Sequence, residues 1–238
     1  MERVPLGVPG LDELLEGGIP APSTIAIIGS RDSPKSALCQ QIIYKGLELG
    51  DAAVYVTTEA KPEAIVKEME ERGWSVKKYR KEGALSFIDC FSKFAGSESS
   101  HPTAASRENV DGELLSALKE AVSAKGKYAG LRTAIDSLSG LINLLSQSPV
   151  RALKLAKELH VLSRVPRGRR SFGLETLHSS LHRVPLQVLI FNFSDVILEL
   201  KRKRNETYLR VKKAHKTAVP HEWMKIEETP SGLALVPR

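Results

Sequence analysis

Residues 24–38 read TIAIIGSRDSPKSAL, and this stretch sets the architecture of the chain. The apolar run over residues 25–28 reads as a buried strand, Gly29 turns the chain, and Lys35 and Ser36 open an apolar-periodic helix that reaches about residue 49. Strand, loop and helix follow in that order. The spacing is that of the phosphate-binding pattern G-x-x-x-x-G-K-[ST]: Gly29, four residues, then Pro34, Lys35 and Ser36. The second glycine is a proline.

In such a loop, backbone N–H groups form a concave nest around phosphate oxygens, the lysine neutralises their charge, the hydroxyl holds Mg²⁺, and the helix N-terminus adds its dipole. Proline removes one of those donors and fixes φ near −65°. It also suits the first residue of a helix. Phosphate binding and an ordinary strand-to-helix turn are both open on this stretch alone.

The 238 residues suffice for one sizeable α/β domain, expected here as a single unit over residues 1–238. Net charge is +7, and the excess gathers in residues 164–170 and 201–216. Such patches permit an anionic partner, nucleic acid above all, although a solvated basic face is the commoner outcome. Cys39 and Cys90 lack metal or redox spacing, which fits buried thiols in a reducing cytoplasm. No apolar run approaches the ~20 residues of a membrane-spanning helix, and MERVPLG lacks a signal-peptide core. No membrane insertion and a cytoplasmic location are expected.

Working outward from the loop, Leu11, Leu14 and Leu15 mark a short lead-in helix stopped by Gly17 and Gly18. Residues 52–57 (AAVYVT) read as a second strand ending at Thr58, Glu59 and Ala60, residues 61–73 as an amphipathic helix, and residues 85–89 as a third strand. Residues 92–109 are small and polar and read as a flexible surface loop. A helix over 110–124, a strand over 131–135 that delivers Asp136 to its tip, and a helix over 150–163 follow. Residues 171–178 then read as a central strand in which Glu175 must be paired or lie at an edge. Beyond it, residues 196–201 and 207–213 read as an antiparallel hairpin, and residues 225–228 and 233–236 as a further strand pair.

Together these residues resemble the KaiC-like branch of the RecA-superfamily ATPases. The resemblance rests on the lead-in GVPGLDELLEGGIP, the loop, YVTTE, IDSLS and the late hairpin, and covers nearly the whole chain. It implies a doubly wound, mostly parallel sheet with helices on both faces, a C-terminal antiparallel hairpin, and ATP with Mg²⁺ at the carboxyl ends of the strands. Gly29, Ser30, Ser33, Pro34, Lys35, Ser36 and Ala37 would be the nucleotide contacts. Lys35 would meet the β- and γ-phosphates, Ser36 would hold Mg²⁺, and Asp136 would bind that metal through water. Glu59 would be the base that polarises the attacking water. Each has an ordinary structural alternative, as helix start, cap or surface carboxylate.

Departures from the family pattern point to slow hydrolysis or none, and so to a regulatory or assembly component. Pro34 replaces the loop glycine, Ala60 stands where a second glutamate is common, and Arg31 and Asp32 fill the loop interior. An Asp32 carboxylate near phosphate oxygens would repel them. Family members form rings or filaments in which a K-x-R segment of the late hairpin reaches a neighbour's nucleotide. Here that segment aligns with Val211-Lys212-Lys213-Ala214-His215, with Lys212 as the trans contact and Ala214 in the arginine's place. A trans-acting arginine contributes about 10³–10⁵ in phosphoryl-transfer rate. An active ATPase that tolerates its loop, and a DNA-contacting recombinase-paralogue accessory factor, are the alternatives. A homo-oligomer or a complex with a related paralogue is expected.

His178 and His182 in HSSLH lack a third ligand or orienting acid at a recognisable spacing, so neither a metal nor a Ser-His site is read there. The resemblance makes His178 a candidate γ-phosphate sensor, with a capped loop start as the alternative. Arg164, Arg167, Arg169 and Arg170 lie in a helix-to-strand turn expected at the face opposite the nucleotide.

Overall fold

The structure, a computed structural model, describes residues 2–94, 110–144, 149–163, 170–179 and 184–236. The lead-in holds β1 (Arg3–Val4), α1 (Leu11–Leu14) and β2 (Ile19–Pro20), with β1 and β2 paired as a separate antiparallel ribbon. Then come β3 (Ser23–Gly29), α2 (Lys35–Glu48), β4 (Ala52–Thr57), α3 (Pro62–Glu71), α4 (Lys77–Lys81) and β5 (Leu85–Asp89). The middle of the chain forms α5 (Phe91–Phe94), α6 (Val110–Ser123), β6 (Leu131–Asp136), α7 (Leu138–Leu144) and α8 (Pro149–Ser163). Last are β7 (Phe172–His178), α9 (Val184–Phe193), β8 (Val196–Lys203), β9 (Glu206–Ala214), β10 (Met224–Thr229) and β11 (Gly232–Leu235).

One nine-stranded sheet runs β11-β10-β9-β8-β3-β7-β6-β4-β5. The six strands from β8 to β5 are parallel, and β9, β10 and β11 extend the β8 edge as an antiparallel meander. Buried on both faces, the central strands read as near-continuous apolar runs, which is how parallel strands covered by helices must read. Ile25, Ile27, Leu38, Ile42 and Met69 pack on one face with α2 and α3. Ala26, Val54, Leu118, Leu141 and Leu159 pack on the other with α6 to α8. This is the doubly wound, mostly parallel sheet with a late hairpin that the sequence implied.

The lead-in is pinned by Asp12, whose carboxylate accepts from Leu6 N (2.7 Å) and Gly7 N (2.8 Å). Gly18, at φ 129°, leaves no room for a side chain, because a Cβ would meet the Val4 carbonyl oxygen at 2.2 Å. At the amino ends of the strands Arg132 is fully buried. It bonds Asp51 Oδ2 (3.3 Å), Ile42 O (2.7 Å) and Pro5 O (3.2 Å), with Phe172 beneath its guanidinium. Arg170 joins it there, 3.0 Å from Asp51 Oδ1 and bonded to Leu49 O. That places the described end of the basic turn opposite the candidate site; Arg164, Arg167 and Arg169 lie outside the described residues.

Several details differ from the sequence reading. Helix α2 opens at Lys35 as expected, but Pro34 is its N-cap, with φ −79° and ψ 48°, and not its first residue. Of the expected loop, residues 92–94 belong to helix α5, and the rest, 95–109, lies outside the described residues. Glu175 sits in β7 between β3 and β6, in the interior of the sheet, where His160 Nδ1 of α8 lies 3.6 Å from its Oε1. It lies in the interior of the sheet and not at an edge. The helix α9, VPLQVLIFNF, was not read at all: a short apolar run carries no period that separates strand from buried helix.

Candidate functional site

Parallel strands that share a direction end at one rim, and the register sets which residues meet there. Gly29 pairs with His178, and Thr57 with Asp136. The loop from Ser30 to Pro34, the YVTTE strand end, Asp136 and the tip of β7 therefore converge although they are distant in the chain.

Within the loop the acceptor is the Ser30 carbonyl. It takes the Ser33 N–H (3.1 Å), the Ser33 hydroxyl (2.7 Å) and the Lys35 ammonium, whose Nζ also lies 3.4 Å from Ser33 Oγ. The Lys35 N–H donates to Ser33 O (2.8 Å). Gly29 is required by close approach: a Cβ would lie 2.4 Å from Ser33 Oγ and 2.9 Å from Leu200 O. Burial lowers the Lys35 pKa, opposed by the nearby carboxylates of Asp136, Glu59 and Asp32. The Ser30 side chain bonds the solvent-exposed Asp32 carboxyl and holds it below the usual carboxylate range.

Ser36, in the first turn of α2, donates from Oγ to Asp136 Oδ1 at 3.1 Å. Thr176 of β7 donates to the same oxygen at 2.5 Å, and Tyr55 of β4 donates to Oδ2 at 2.7 Å. A hydroxyl beside a buried carboxylate is a hard-oxygen donor set suited to a cation that keeps water and phosphate ligands, which is how Mg²⁺ is usually held. Among the described residues no group of three or more His, Cys, Asp or Glu offers an all-protein metal cage.

Glu59 follows β4 and is partly exposed. Its Oε1 accepts the Ser137 hydroxyl at 2.5 Å and lies 3.6 Å from His178 Nε2. Ser137 is held in turn by Thr58, its N–H donating to Thr58 Oγ1 (2.8 Å) and its carbonyl accepting from that hydroxyl (3.0 Å). Gly140 allows this approach, since a Cβ there would lie 2.2 Å from Thr58 Oγ1. Ala60 carries no carboxylate to the site; its carbonyl accepts the Thr57 hydroxyl at 2.6 Å.

His178 and Lys212 line one cleft of ≈ 470 Å³ beside this rim, with Leu177, Phe191 and Glu199. Lys212 is exposed and 3.7 Å from Glu199 Oε1, a carboxylate that also takes Arg210 Nε (2.6 Å). It is the extra residue of a β-bulge, because Ile197 pairs with Lys213 and Leu198 with Val211. His178 ends β7, with its N–H on Ser139 Oγ (2.9 Å); His182 lies outside the described residues.

The structure thus brings Lys35, Ser36, Asp136, Glu59 and His178 to one rim and sets Lys212 on a neighbouring wall. Sequence reasoning missed Tyr55, Thr176, Ser137 and Thr58. Their signal was present in part, as hydroxyl residues within a turn of each strand tip in YVTTE, IDS and ETLH.

The sheet order and this strand-loop-helix rim define a RecA-like α/β fold. The family model for the KaiC ATPases matches residues 4–237, and the chain belongs to that family. A UPF0273 protein of Methanocaldococcus jannaschii is 34% identical over 189 residues, 73% of this chain and 74% of that protein. Another, of Methanopyrus kandleri, is 35% identical over 142 residues, 59% of this chain, and the match spans only 55% of its length. The crystal structure of a KaiC-like protein from Pyrococcus horikoshii superposes with a TM-score of 0.76 at 24% identity, covering 99% of both chains, a likeness of fold. No described helix is long and apolar enough to cross a membrane.

Proposed function

We propose that this chain is a single KaiC-like domain that binds ATP with Mg²⁺ weakly, hydrolyses it slowly or not at all, and acts as a regulatory or assembly component. The observation that carries the binding half is the contact between the Ser36 hydroxyl and the Asp136 carboxylate, one helical step after Lys35. Lys35 would leave the Ser30 carbonyl for the β- and γ-phosphates. Gly29, Ser30, Ser33, Pro34 and Ala37 would frame the phosphates with Lys35 and Ser36, and Ser36 and Asp136 would hold the cation, directly and through water. Mg²⁺ supplies neutralisation of phosphate charge when bound.

The loop's inward-facing hydrogen bonds support weak turnover. Pro34 has no N–H, and those of Ser33 and Lys35 are already satisfied by loop carbonyls. Glu59 is the candidate base, but its Oε1 is taken by Ser137 and faced by His178, the candidate sensor. Ala214 pairs with Val196 at the start of the hairpin and offers no cation to a neighbour's phosphate, while Lys212 is the remaining candidate trans contact in a homo-oligomer or paralogue complex.

Titration with labelled ATP in the presence and absence of Mg²⁺, followed by single-turnover hydrolysis, tests this reading. Weak Mg²⁺-dependent binding with turnover near background is expected. Micromolar binding with turnover abolished by Glu59→Gln would make the chain an active ATPase, and indifference of ligand binding to Lys35→Ala would remove the nucleotide site. Nucleic-acid contact is the further reading, favoured by the exposed Arg202, Lys203 and Arg204 at the β8–β9 turn. It requires DNA affinity that falls as salt rises.

A further inference from the structure

Asp136 is 3% exposed, and its two oxygens are addressed from opposite sides by hydroxyls on three different elements. On Oδ1 are Ser36 and Thr176; on Oδ2 is Tyr55. Tyr55 is fully buried and packs against Phe87 at 5.6 Å between ring centroids, so a phenylalanine would meet the same apolar surroundings. A buried phenol is costly unless its hydroxyl is bonded. Here it is bonded to the carboxylate.

A carboxylate bonded through both oxygens can turn about its Cβ–Cγ bond only by breaking those bonds, so each donor that is removed makes the turn easier. We propose that Tyr55 and Thr176 are positioning residues that lock the Asp136 carboxylate in the plane where it accepts the Ser36 proton. This inference rests on the Mg²⁺-nucleotide reading above. With its proton directed to Asp136, the Ser36 oxygen turns its lone pairs outward, toward the place a cation would take, and the hydroxyl does not have to reorganise when the metal arrives. Tyr55 thus tunes the response to metal without itself touching nucleotide or metal.

The test is fluorescence titration of labelled ATP at a series of Mg²⁺ concentrations, and in EDTA, with wild type, Tyr55→Phe and Thr176→Val. Tyr55→Phe deletes the phenol oxygen and Thr176→Val exchanges a hydroxyl for a methyl of similar size, so each removes one donor with little change of shape. The Mg²⁺ concentration for half-maximal binding should rise about tenfold in each variant, the size expected for a lost hydrogen bond to a charged group, while affinity in EDTA stays unchanged. A variant that loses affinity equally with and without Mg²⁺, or keeps the wild-type Mg²⁺ dependence, overturns the positioning role. A wild-type protein that shows no Mg²⁺-dependent binding sinks the nucleotide reading, and this inference with it. If Tyr55→Phe does not fold, Thr176→Val carries the test on the opposite oxygen.

Discussion

The Lys35 ammonium rests on the carbonyl oxygen of Ser30, five residues earlier in its own loop. A phosphate oxygen entering the loop has to take that place. Because Lys35 is buried, with a pKa lowered chiefly by desolvation, its charge is held at a cost that an anion would relieve.

Lys35→Met should therefore reduce ATP affinity at least about tenfold while leaving the melting temperature unchanged or slightly raised. The sign with pH follows from the lowered folded value. Between that value and the ordinary 10.5 the unfolded chain binds more protons, so wild-type stability relative to Lys35→Met should rise with pH across that window. Denaturant melts of both proteins from neutral to alkaline pH would show it; a wild-type stability that falls or stays flat relative to Lys35→Met contradicts the assignment.

Pro34→Gly returns a backbone N–H to the start of α2 and releases φ. ATP affinity should increase about tenfold, as for one added hydrogen bond to a charged group, and stability should fall by about 1 kcal/mol through the freer unfolded chain. Calorimetric titration together with urea unfolding separates the two effects. Unchanged affinity would mean that proline is not what weakens the loop.

Gly29→Ala places a Cβ against Ser33 Oγ and the Leu200 backbone, and the backbone cannot move aside without disturbing the β3–β8 pairing. A loss of about 1–3 kcal/mol is expected, with weaker ATP binding because Ser33 is displaced. A melting curve that matches wild type would show the loop to be more pliant than its packing indicates.

Arg132→Met removes the buried guanidinium that ties Asp51, Ile42 O and Pro5 O at the opposite end of the strands. It should cost about 3–5 kcal/mol in urea unfolding, moderated by Arg170, which still faces Asp51. ATP affinity of the folded fraction should be unaltered. A large change in affinity would mean that the two ends of the sheet are coupled.

The class of fold was legible because its determinants are local. Residues 25–28 are apolar enough for a strand buried on both faces, Gly29 and Lys35 punctuate the turn, and the β-branched run at residues 52–57 repeats the unit. Helix α9 was not legible, since ten residues without a charge fit a strand or a buried helix equally well, and only packing against the sheet separates them. The start of α2 at Lys35 was legible, while Pro34, which equally suits a first helical residue, is its N-cap. The N-cap and the first helical residue tolerate similar residues, and the distinction lies in ψ, which reached 48° in the fold.

For the site, the sequence alone determined which groups lie near strand ends: Lys35 and Ser36 after one strand, Glu59 after another, and Asp136 and His178 at the tips of two more. Which of them meet was decided by strand order and register. Placing β7 between β3 and β6 brings Thr176 to Asp136 and His178 to Glu59, and β4 beside β6 brings Tyr55 to the other carboxylate oxygen. Those contacts join residues 40 to 119 positions apart, and no periodicity carries information over that distance. Tyr55 is the clearest case: in the sequence it is one aromatic in a buried strand, and only the fold gives its hydroxyl a carboxylate to hold.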